Sequence, residues 1–106
     1  MLKCLSFALA LTLAAGAAQA SSDDAWAEFA REVEKKCLSA AKGTIEAAKV
    51  VVDPFGSEKF GLAVVSGKAK GAKTRISQIC VMDKQTKAVE LGSELGADRV
   101  KVEIVK

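Results

Sequence analysis

Val50-Val51-Val52-Asp53-Pro54-Phe55-Gly56, followed by Phe60-Gly61-Leu62-Ala63-Val64-Val65, is the stretch that decides the architecture. Asp at the first position, Pro at the second and Gly at the fourth suit a type I turn, because Pro presets φ and Asp caps the turn. β-Branched residues crowd both flanks with a period near two, which predicts a pair of strands joined by that turn.

Upstream the period is different. Trp26, Phe29, Ala30, Val33, Cys37, Ala40 and Ala41 recur at three- and four-residue steps, one face of an amphipathic helix over Asp23 to Lys42. Ser21 or Ser22 can cap it, Asp23 and Asp24 suit the positive end of its dipole, and Lys35, Lys36 and Lys42 suit the negative end. Gly43 is placed to end it in a left-handed conformation. This helix turns Cys37 toward the core.

Downstream, a third strand is predicted across Thr74 to Met82. Ile76, Cys80 and Met82 share one face, but Gln78 lies on it too while Ile79 and Val81 take the other, so the pattern leaves the register open. Asp83-Lys84-Gln85-Thr86 reads as a tight turn into Ala88-Val89-Glu90-Leu91, and Gly92 to Ala97 as a loop or single helical turn. Arg99 to Lys106 alternates strictly, with Val100, Val102 and Ile104 on one side, and reads as a closing strand. The predicted fold class is therefore α+β, one N-terminal helix packed on an antiparallel sheet of about four to five strands.

The first twenty residues belong to another task. Met1-Leu2-Lys3 is a short positive start, Leu5 to Ala18 is a run of apolar and small residues broken only by Ser6 and Thr12, and Ala18-Gln19-Ala20 is an A-x-A cleavage site. The apolar core falls short of the roughly 20 residues of a membrane span. Residues 1–20 are thus expected to be a signal peptide, and 21–106 a single small domain, periplasmic or secreted, with no stable membrane span after cleavage. Cys4 leaves with the signal, and Cys37 and Cys80 remain. In an oxidising compartment such a pair reads as a disulfide. It would close a loop of about 44 residues, for which chain entropy gives roughly 4 kcal/mol.

The chain has no His and no Tyr, and its cysteines lack the C-x-x-C spacing of a redox or zinc site, so no metal and no cofactor is expected. Glu28 and Glu32 lie one helical turn apart, but a solvated charged face explains them. Ser39-Ala40-Ala41-Lys42 matches S-x-x-K without the S-D-N and K-T-G partners of the penicillin-recognising enzymes, and a hydrolase using Ser39 with Lys42 is a third alternative. Gly67 to Thr74 nearly matches G-x-x-x-x-G-K-[ST], with Ala72 in place of the second Gly, and a strand follows where that loop needs a helix.

Charge is unevenly spread. Residues 21–34 carry Asp23, Asp24, Glu28, Glu32 and Glu34 against Arg31, whereas Lys68, Lys70, Lys73 and Arg75 stand together with no acid among them. Flanked by Gly67 and Gly71, these cations suit phosphate or carboxylate groups. With no aromatic residue interleaved to stack on bases, they do not suggest nucleic acid.

The signal peptide, the Trp-bearing helix with Lys36-Cys37, Val52-Asp53-Pro54-Phe55-Gly56, Phe60-Gly61-Leu62-Ala63 and Ile79-Cys80-Val81-Met82-Asp83-Lys84 together resemble small exported alphaproteobacterial proteins of unassigned function. The resemblance implies an exported, disulfide-bonded domain. Ser66-Gly67 with Lys68 is also similar to the Ser-Gly loop that periplasmic inhibitors of C-type lysozyme insert into the enzyme's cleft. The chain departs from that family in having no Tyr, no Trp-containing strand motif and a leading helix. The expected function is that of an exported, non-enzymatic envelope protein contacting a protein or anionic ligand through Ser66, Lys68, Lys70, Lys73 and Arg75. The alternatives are a secreted effector acting on a host, and a lysozyme-inhibitor-like protein.

Overall fold

A 20-residue helix, α1 (Ser22–Ala41), leads into strands β1 (Ile45–Val52), β2 (Phe60–Ala69), β3 (Arg75–Asp83), β4 (Val89–Leu91) and β5 (Leu95–Gly96). The structure is a computed structural model that describes residues 22–105, so the signal segment expected over 1–20 lies outside the described residues. All pairings are antiparallel. The order is β1-β2-β3-β4, with β5 also on β3.

α1 buries Val33, Cys37 and Ala41 on the sheet, with Phe29 and Leu38 packed beside them. It does not end as predicted. Gly43 has no positive φ; the helix closes through Lys42 N–H to Ser39 O and Thr44 N–H to Ala41 O instead. Its last turn holds no cation, Lys42 lying just beyond.

The covered sheet face is made of Gly61, Ala63, Val65 and Ala69 from β2 and Ile76, Gln78, Cys80 and Met82 from β3, matched across the ladder. Gly61 is required there: a Cβ would stand 2.5 Å from Val33 Cγ2 and 3.0 Å from Phe29 Cζ. The register left open by the sequence is settled with Gln78 inside. Its amide donates to Gly92 O at 2.9 Å and its carbonyl oxygen accepts from Thr44 Oγ1 at 2.6 Å, so a buried polar group is satisfied rather than stranded. Cys37 and Cys80, both fully buried, are joined in a disulfide that clips helix to sheet.

β1 starts earlier than its valines suggest. A bulge between Glu46 and Lys49, with Ala47 at φ 49°, interrupts the period of two and hides Ile45 to Ala48 from pattern reading. At the far edge, β4 and β5 are two halves of one interrupted strand, since Leu91 faces Cys80 and Gly96 faces Ile76 on the same side of β3. The segment read as a loop or helical turn thus contains a short ladder. The predicted closing strand over Arg99 to Lys106 is absent among the described residues, where the short β5 pairs with β3 and the chain beyond it joins no ladder. Ala97, Val100 and Val102 instead meet Ser66, Arg75 and Ser77 around a cavity of about 60 Å³ on the face away from α1. Val102 and Ile104 are half-buried without a ladder.

Candidate functional site

The two ends of the sheet differ in chemistry. At the β2–β3 end the hairpin turns through Lys70 to Thr74, held by Ala69 N–H to Thr74 O and Ala72 N–H to Ala69 O. Gly71 takes φ 77°, with nothing within 4 Å of where a Cβ would be. Lys70 N–H donates to Thr44 O, which anchors the turn beside the helix exit. Lys70, Lys73 and Arg75 are exposed, whereas Lys68 lies within β2 opposite Arg75 and pairs with Glu46 at 3.0 Å. Hydrogen bonding to the Lys68 ammonium, then its charge, holds the Glu46 carboxyl below its ordinary value.

Ser66 does not join this group. It sits in β2, 4% exposed, with its hydroxyl donating to Ile76 O and accepting from Ser77 Oγ. The Ser-Gly pair is therefore part of a ladder and not of a presented loop. Lys101 reaches the same end, because the tail folds back to line the small cavity with Arg75. Pattern reading missed it, since nothing local links residues 26 positions apart.

At the opposite end an aromatic cluster is tied down by one lysine. Trp26 meets Phe29 edge-on at 5.8 Å and Phe55 at 5.3 Å, and Lys84 Nζ lies 5.3 Å from the Trp26 ring centroid and 5.1 Å from that of Phe29. The same ammonium donates to Phe55 O at 3.0 Å and Ser57 O at 2.6 Å, so it fastens the β1–β2 turn to α1. Asp53 caps that turn as its position predicts, Oδ1 accepting from Phe55 N–H and Gly56 N–H, both at 3.0 Å. Asp83 caps the next turn through Gln85 and Thr86 N–H.

Those backbone donors depress both aspartates from their ordinary value of 3.8, that of Phe55 acting most on Asp53 and that of Thr86 on Asp83. A carboxylate with a lowered folded pKa stabilises fully above its unfolded pKa and loses that contribution as pH falls through the folded one. The melting temperature is accordingly expected to decline below about pH 4.5. Asp53→Asn keeps an acceptor for the turn but cannot titrate, so its decline should be shallower in a series of thermal melts from neutral to acid pH. A decline parallel to the parent's would remove Asp53 from the account.

The chain matches no family model, no curated protein and no solved structure. Among the described residues, no group of His, Cys, Asp and Glu is placed to hold a metal ion, and no helix is long and apolar enough to cross a membrane. Glu32 pairs with Lys87 at 3.2 Å on the outer flank of α1. Ser39 and Lys42 are both exposed at the helix end. Gly67 to Ala69 belong to β2 and lead through a turn into β3, so the phosphate-loop geometry of a strand entering a helix is not formed.

Proposed function

We propose that the chain is an exported, non-enzymatic binding protein of the bacterial envelope that engages a protein or ligand carrying phosphate or carboxylate groups through its basic end. The carrying observation is the placement of Lys68, Lys70, Lys73 and Arg75 on one hairpin end with Lys101 from the tail lining the same end, where Lys68 is paired with Glu46. Exposed cations on a turn fixed by a rigid sheet can approach an anion without the scaffold rearranging. Export is supported by the apolar leader with its A-x-A site and by the buried Cys37–Cys80 bridge, a bond that persists in oxidising compartments.

The test is the triple variant Lys70→Ser, Lys73→Ser, Arg75→Ser in the oxidised domain lacking residues 1–20. These side chains are exposed, so stability should move by no more than about 0.5 kcal/mol per site. Capture of a partner from envelope extract is expected to fall at least about tenfold, and the parent's capture to weaken steeply with added salt. Undiminished capture by the triple variant would refute the assignment of the basic end.

A further inference from the structure

β1 is an edge strand, and its free side has a definite hydrogen-bonding pattern. Asp53 N–H donates to Leu62 O at 2.9 Å, and Val52 stands opposite Ala63, so Asp53 exchanges bonds with β2. Because antiparallel pairing alternates, Val51 and Lys49 also point their backbone groups inward, and Val50 and Val52 turn theirs outward. No strand among the described residues lies beyond β1, whereas the other edge of the sheet is broken into three- and two-residue pieces. Val51 is 44% exposed on the open face, in a run of three valines whose composition favours strand pairing.

We propose that this edge docks a second copy of the chain, β1 against β1 in antiparallel register about a two-fold axis at Val51. That register sets Val50 opposite Val52 of the other copy, so the outward N–H and C=O groups of each are satisfied reciprocally. It also sets Lys49 opposite Asp53 of the other copy, on the same face and in the closely spaced class of pair. Asp53 uses Oδ1 for its own turn, and Oδ2 is the oxygen that receives the ammonium. The neighbouring registers fail on one count or the other. A two-fold at Lys49 brings two lysines face to face, a two-fold at Val50 puts Lys49 against Val51, and a two-fold at Val52 places Pro54, which has no N–H, opposite Val50. Charge and backbone donors therefore select one arrangement. The ladder is short, so the pair is weak and transient.

Cross-linking reads this directly. In the proposed register the two Val51 Cα atoms face each other at about 4.5 Å, within disulfide reach. Val51→Cys should give a covalent dimer under air on a non-reducing gel, at least about tenfold faster than Ser93→Cys, which lies on the broken edge and serves as control. Adding Lys49→Glu, which sets two acids opposite each other, should slow that cross-linking several-fold at low salt. Val50→Pro deletes an outward N–H while leaving the ladder to β2 intact. Sedimentation of the oxidised domain up to about 1 mM should show self-association in the parent, at least tenfold weaker in Val50→Pro. Val51→Cys reacting no faster than Ser93→Cys, or Val50→Pro associating like the parent, would overturn the proposal. So would a parent that stays monomeric throughout, leaving the edge to an extended segment of another protein.

Discussion

Replacing both half-cystines, Cys37→Ala with Cys80→Ala, is expected to lower the melting temperature by about 15–30 °C. The bridge joins residues 43 apart in sequence. The chain-entropy model assigns it roughly 4 kcal/mol, and each kcal/mol moves the midpoint of a domain this size by about 4–8 °C. Both cysteines are fully buried between α1 and β3, so cutting the bond also leaves two small side chains where a continuous one had filled the core. The clip matters more here than in a larger protein, because only ten hydrophobic residues are buried among the described residues. Calorimetry of the oxidised parent, the reduced parent and the double-alanine variant separates the covalent effect from the packing effect. A double variant melting within about 5 °C of the parent would show that the helix needs no staple.

Met82→Ala carries the next largest expected loss, about 2–5 kcal/mol in urea unfolding. Met82 is fully buried and is the largest such side chain among the described residues, beneath the helix in the same row as Gly61. Gly61 has no side chain to relax into the space, so the cavity stays open. The adjacent Val81→Ala, on the face away from α1 and only half-buried, should lose less than about 1.5 kcal/mol. The contrast between neighbours tests which face of β3 is inside. Equal losses would contradict the register.

That register illustrates how far the sequence could be read. The helix, the Asp53 turn, the β2–β3 hairpin and the disulfide all follow from local spacing or residue chemistry, because each is encoded within a few positions or by a matched pair of thiols. Gln78 on an otherwise apolar face blurred the pattern of β3, since its two partners, Thr44 and Gly92, lie 34 and 14 residues away. Read locally, Ser66 falls in a loop for the same kind of reason. What buries it is Ser77 across the ladder and a tail arriving from the chain's end, neither visible in its neighbours. Lys68, Lys70, Lys73 and Arg75 were recognisable as a cluster by proximity in sequence, but the pairing of Lys68 with Glu46 and the arrival of Lys101 depend on the closed fold. The Lys84 clamp on Trp26, Phe29 and Phe55 joins three separate segments and had no sequence signature at all.

The same clamp gives the protein an intrinsic optical probe. Trp26 is the chain's sole indole, with an ammonium group and two perpendicular rings at fixed distances around it. Its emission should shift whenever the turn after β1 lifts from the helix, so seating of that corner can be timed during refolding by stopped-flow fluorescence, with no dye attached.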